Sequence, residues 1–193
     1  GRFDQICAFR HFDLRRLAAD RMAHEYAGGL VDLTRPLGLR VWLENYGHWG
    51  FPIESLQYGG AADLIGGEFW FNDGPRPNAA ELQAASSAAF LYGKPRVSAE
   101  AFTSSGGMHA SFSRLPRDYK RLSDWAFSTG VNHLVLHLYL HQPDDGRPGV
   151  NAWFGEMFNR HNPWFEMLPG PVAYWRRASA LLQRGERMVD LAY

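Results

Sequence analysis

Four apolar runs each finish on a charged or imidazole side chain, and this restricts the fold more tightly than any other feature of the chain. They are Leu39 to Glu44 (Leu-Arg-Val-Trp-Leu-Glu), Ala61 to Trp70 with Glu68 near its end, Arg96 to Ala99 closing on Glu100, and Val131 to His141 with His137, Tyr139 and His141 towards its end. Short, nearly continuous apolar runs read as strands covered on both faces. A charge at the end of a buried strand is expensive unless something uses it. In α/β folds the carboxyl ends of strands are where chemistry is done. For Glu44 and Glu100 a strand-end carboxylate paired with an arginine is the competing reading.

Helical signals separate these runs. Phe3 to Arg35 reads as one long amphipathic helix, with Ile6, Phe9, Leu14, Leu17, Met22, Tyr26, Leu30 and Leu33 at roughly helical spacing, ended by Pro36 and Gly38. A second helix starts at Pro77-Asn78, with Asn78 as N-cap and Glu81 three residues on, and closes at Gly93. Pro116 to Ser128 and Pro171 to Gly185 read as two more. Leu56 to Gly60 reads as a loop, as does the aromatic stretch from Asp144 to Pro163, and Arg187 to Ala192 reads as a last short strand. Alternation of this kind predicts a parallel sheet with covering helices. A (β/α)-barrel with an active carboxyl-terminal rim fits best. An open doubly wound sheet would carry a Gly-rich phosphate loop after its first strand, and none is present. A TIM-type (β/α)8 barrel needs eight βα units in about 250 residues. About four are visible here, so residues 1–193 read as a single partial catalytic domain, the carboxyl-terminal half of the barrel.

The 20 Lys and Arg residues balance 20 Asp and Glu. That argues against nucleic acid and acidic membrane surfaces, which attract a basic face. No apolar run approaches the roughly 18 residues of a membrane span. The lone Cys7 excludes an internal disulfide and a multi-cysteine metal site. Seven tryptophans suit a chain that stacks on sugars and suit a thick core equally well. Trp49, Trp70 and Trp153 could each be a sugar platform or a packing wedge.

Leu43-Glu44-Asn45-Tyr46-Gly47-His48-Trp49-Gly50-Phe51-Pro52, Leu56-Gln57-Tyr58-Gly59-Gly60, Gly67-Glu68-Phe69-Trp70, Val97-Ser98-Ala99-Glu100-Ala101-Phe102-Thr103, His141-Gln142-Pro143 and Gly149-Val150-Asn151-Ala152-Trp153-Phe154-Gly155 resemble glycoside hydrolase family 106 and stand in that family's order, from about Ala8 to the end. The resemblance implies an inverting α-L-rhamnosidase on a (β/α)8 barrel with calcium in the active site. Glu100 then matches the general base and Glu68 a calcium-ligand carboxylate. Glu44, His48 and His141 line the pocket, and Trp49 and His137 join them as substrate-binding candidates. The substrate is a rhamnose-containing glycan or glycoside, and a secreted or periplasmic setting is compatible with the family. The family's general acid lies on an earlier strand, and no residue before Ala8 matches its motif. The expectation is that the acid lies upstream, so that this chain alone lacks turnover. A non-catalytic carbohydrate-binding module on the same barrel is the rival.

The chemistry is consistent with that family. Inversion needs two carboxyl groups about 6.5–9.5 Å apart, with a water between base and anomeric carbon. Glu44, Glu68 and Glu100 on neighbouring strands would repel unless a cation sat among them. Calcium suits hard oxygen ligands. Zinc fits less well, because neither a His-x-Glu-x-x-His spacing nor a cysteine cluster is present.

Overall fold

The computed structural model describes residues 2–45, 50–71, 79–105 and 112–190. The amino-terminal helical rod forms with changing pitch: α1 (Arg2–Arg21), a π-helical turn (Met22–Gly28), α2 (Gly29–Thr34) and a 3-10 turn (Arg35–Leu37). Gly28 and Gly29 keep helical dihedrals and do not interrupt it. Gly38 ends it in the left-handed region at φ +72°. The buried stripe is not the one expected. Phe9, Leu14, Leu17, Tyr26 and Leu33 face solvent, and burial falls on Ala19, Ala23, Ala27 and Val31. These four lie four residues apart, so one narrow seam of small side chains meets the body of the fold.

Four parallel strands follow, β1 (Trp42–Glu44), β2 (Leu64–Phe71), β3 (Val97–Ser104) and β4 (His133–Leu136), in the spatial order β1-β2-β3-β4. Each is followed by a helix: α3 (Ser55–Ala61), α4 (Ala80–Leu91), α5 (Pro116–Ser128) and α6 (Pro169–Leu182). The chain is therefore mixed α/β with a four-stranded parallel sheet, as the alternation predicts.

Several boundaries differ from expectation. Leu56 to Gly60 is helical, because Glu54 caps α3 through bonds from Leu56 and Gln57 N–H and the two glycines lie against neighbours. A Cβ on Gly59 would fall 2.7 Å from Asn45 Nδ2, and one on Gly60 2.4 Å from the Tyr92 ring. Glycine here permits close packing instead of breaking the helix. The N-cap of α4 is Ala79, and Asn78 lies outside the described residues. The strand expected from Val131 to His141 shrinks to His133–Leu136. Beyond it His137 N–H still bonds Ala101 O of β3 (3.0 Å), and the chain then pairs with residues 156–158: Leu138 N–H donates to Glu156 O (2.7 Å), Glu156 N–H to His137 O (3.0 Å) and Phe158 N–H to Leu138 O (3.0 Å). Arg187 to Asp190 is irregular.

Aligned residues on parallel strands point to the same side. Ile65, Phe69, Val97, Ala99 and Ala101 face the helices, where they form the core with Leu82, Ala85, Ala89, Tyr119 and Leu122. The opposite face carries Trp42, Glu44, Gly66, Glu68, Ser98, Glu100, His133 and Val135. The Trp42 indole lies across Gly66, where a Cβ would come within 2.6 Å of it.

One irregularity shapes the sheet. Phe69 pairs with Ala101, but Trp70 pairs with Thr103, so Phe102 is an extra residue in β3. It sits at φ +72°. The bulge turns Phe102 into the core, edge-on to Phe69 (5.2 Å, 84°) and Tyr119 (5.1 Å, 84°). In a regular strand it would share the face of Glu100.

Candidate active site

Glu68 and Glu100 are aligned in register on β2 and β3. Both lie inside their strands, not at the ends expected from sequence. The bulge at Phe102 places Thr103 on the same side as Glu100, and the Thr103 hydroxyl donates a short hydrogen bond to Glu100 Oε1. His137, the first residue past β4, sets Nδ1 3.9 Å from that same oxygen. Among the described residues Oε2 takes no hydrogen bond.

Glu68 is buried, and its carboxyl group is pushed up to about 7 from an ordinary 4.5. Burial is the main cause. The Trp70 indole N–H, bonded to Glu68, pulls the other way, and the nearby Glu81 and Glu100 carboxylates raise the value further. Glu81 stands at the start of α4, where the sequence alone shows only a helix-start carboxylate. Its contact with Glu68 was not legible, because it depends on how α4 sits on β2.

Trp70 has a second role. Its ring stacks on Phe154 (6.2 Å, 11°), and Phe154 stacks on His137 (5.4 Å, 10°). Three nearly parallel rings thus connect the partner of Glu68 to the neighbour of Glu100. This favours the wedge reading of Trp70. Trp153, one residue before Phe154, is 89% exposed.

The segment carrying Phe154 is anchored just beyond it. Glu156, fully buried, accepts from Arg114 Nη1 (2.9 Å) and the Tyr119 hydroxyl (2.7 Å) and also bonds the Ser104 side chain. Burial raises its carboxyl group, and these bonds draw it back. Arg114 in turn lies over the Phe71 ring, 4.3 Å from its centre. Sequence reasoning missed Glu156, since a lone Glu in a long loop carries no pattern.

The remaining candidates are more dispersed. Glu44 ends β1 opposite Gly66, exposed and on the face of Glu68 and Glu100. His141 is exposed in the segment after β4, next to buried Gln142, which exchanges two hydrogen bonds with the Val150 backbone (2.8 and 2.7 Å). Among the described residues no hydrogen bond or ion pair joins Glu44 or His141 to Glu100. His48 and Trp49 lie outside the described residues. A cavity of about 710 Å³ opens between β4 and α6, lined by His133, Leu134, Leu136 and Trp175. Neither Glu68 nor Glu100 lines it.

For a cation, the donors are right in kind. Glu68, Glu81 and Glu100 are hard oxygen ligands whose mutual repulsion is visible in the raised Glu68. They are short in number: among the described residues no group of three or more His, Cys, Asp or Glu converges on a metal-sized site. Calcium also takes carbonyl and water oxygens, so a pair of carboxylates is a usable part of its shell.

Residues 8–193 match the model of glycoside hydrolase family 106, described as alpha-L-rhamnosidase. The chain belongs to this family. A rhamnosidase structure from Novosphingobium sp. PP1Y superposes with a TM-score of 0.81 at 36% identity, over 91% of this chain and 17% of that one. A protein of Formosa agariphila named "Putative beta-glucuronidase" is 34% identical over 181 residues, which are 93% of this chain and 15% of that protein. The chain thus spans about a sixth of the length of these two relatives.

Proposed function

We propose that residues 1–193 form one partial catalytic domain, the carboxyl-terminal half of a (β/α)8 barrel, within a longer inverting α-L-rhamnosidase. Four βα units in unbroken order support the barrel. So does the confinement of the charged and imidazole strand residues, Glu44, Glu68, Glu100 and His133, to the face away from the core, which barrel closure would turn inward.

Glu100 is the general base. The observation that carries this is the convergence of Thr103 and His137 on Oε1, which leaves Oε2 free among the described residues to address a water. That water attacks the anomeric carbon, its proton passes to Glu100, and the bond to the leaving oxygen breaks in the same displacement. The leaving oxygen takes its proton from an acid upstream of this chain. Glu44, His48, Trp49 and His141 contact the sugar. Glu68, with Glu81 beside it, would hold calcium, which supplies fixed positive charge for sugar hydroxyls. The strands carry no Lys or Arg. A neutral deoxysugar suits such a surface better than a hexuronate, and this favours rhamnose over glucuronic acid.

The test is Glu100→Gln in the full-length enzyme on an aryl α-L-rhamnoside. Loss of a general base costs about 10² to 10⁴-fold in turnover. Fold and rhamnose binding should survive, since the amide is nearly isosteric. A rate within about tenfold of wild type removes Glu100 from the chemistry.

A further inference from the structure

We infer that His137 is a positioning residue for Glu100 and not a sugar contact. This rests on Glu100 as the base. The imidazole is held on one face and one edge, and its backbone is tied as well. Its face lies on Phe154, with ring centres 5.4 Å apart and planes 10° from parallel. Phe154 is itself backed by Trp70. Beside the ring runs Gly155 at φ +100°, where a Cβ would fall 2.6 Å from Nδ1 and 2.9 Å from Cε1. The backbone is tied at both ends of the residue, His137 N–H to Ala101 O (3.0 Å) and Glu156 N–H to His137 O (3.0 Å). A ring so confined can present Nδ1 in only one direction.

Nδ1 is buried and has no hydrogen-bond partner among the described residues. Buried polar nitrogens are rarely left so, because the lost hydration is not recovered. Glu100 Oε1, at 3.9 Å, stands just beyond hydrogen-bond reach. A small rotation of the Glu100 side chain closes that gap. Nδ1–H then donates to Oε1, which already accepts from Thr103. With Oε1 held by two donors, the plane of the carboxylate is fixed and Oε2 is the oxygen aimed at the water. The aromatic stack therefore sets the base through an imidazole that never touches substrate.

The experiment compares His137→Phe and His137→Asn in the full-length enzyme on an aryl α-L-rhamnoside. Phenylalanine keeps the stacking and loses the donor. The asparagine amide nitrogen occupies roughly the place of Nδ1 and restores it. The expected result is a fall in kcat of about ten- to a hundredfold for His137→Phe at unchanged KM, with recovery to within a few-fold of wild type for His137→Asn. Combined with Glu100→Gln, His137→Phe should cost nothing further, because the residue acts through the carboxylate. Phe154→Leu, which leaves the imidazole intact but unbacked, should lower kcat by several-fold and gives a second reading if His137→Phe does not fold. A raised KM at wild-type kcat would make His137 a sugar contact and overturn the inference. Equal losses for Phe and Asn, or a full further loss in the Glu100→Gln background, would overturn it as well. An active Glu100→Gln single variant would instead overturn the base and, with it, the positioning role.

Discussion

Glu68 stands directly beside Glu100 across the β2–β3 ladder, and only one of them is well buried. The folded state holds the Glu68 proton up to about 7, against about 4.5 in the unfolded chain. Folding therefore takes up a proton between these values. The corresponding stability is fully present below about pH 4.5 and is lost as pH rises through about 7. A shift of that size amounts to at most about 3 kcal/mol. Glu68→Gln should remove this dependence in metal-free protein. Its stability relative to wild type, measured by denaturant unfolding, should improve between pH 5 and pH 8. Parallel curves for the two proteins would show that Glu68 titrates normally.

A cation between Glu68 and Glu81 would take the place of that proton. Calcium should then raise the melting temperature more at pH 8 than at pH 5, growing with the logarithm of its concentration above the dissociation constant. Glu68→Gln should blunt the response. If added calcium and a chelator leave wild type equally stable at pH 8, the metal assignment fails.

Glu156 anchors the loop that supplies Phe154. Glu156→Ala strands Arg114 and the Tyr119 hydroxyl together, and removing one partner of a buried ion pair costs about 3–5 kcal/mol. Tyr119→Phe removes one hydrogen bond and should cost about 1–2 kcal/mol. Urea titration of the two variants orders them, and the reverse order would deny the ion pair its role.

Gly155→Ala places a side chain at φ +100° and 2.4 Å from Leu138 Cδ2. Such backbone strain costs about 1–3 kcal/mol. The same Cβ strikes the His137 ring, so turnover should fall alongside the melting temperature. An alanine variant with full stability would show that the loop relaxes freely.

Produced alone, this 193-residue chain should self-associate. β1 and β4 form the two sides of the sheet, and each leaves one edge unpaired among the described residues. Phe9, Phe12, Leu14 and Leu17 add exposed apolar surface. Free strand edges template further pairing. Sedimentation velocity giving a single sharp monomer would contradict this.

The order and direction of the strands were legible, because apolar runs and helical stretches alternate and only a parallel sheet accommodates that rhythm. Their lengths were not. Glu68 and Glu100 look like strand ends because a charge interrupts an apolar run, yet β2 and β3 each continue past the charge. The last strand misled in the opposite sense. Alternating His and Leu continues to His141, but after Leu136 the backbone finds better partners in residues 156–158. Glu100 and His137 were visible as candidates. That Phe154 and Trp70 would stack behind His137 was not, because those contacts join positions far apart in sequence through the packing of a loop.

The extra residue at Phe102 also changes which positions an engineer should vary. Up to Ala101, even-numbered side chains of β3 face the carboxylates and odd-numbered ones face the helices; after the bulge the parity inverts. A mutant library built on simple alternation would randomise position 102, in the middle of the aromatic core, and leave position 103 alone. On this strand Ser98 is the position to vary for sugar preference, while Phe102 is held constant for the core and Thr103 for its bond to Glu100.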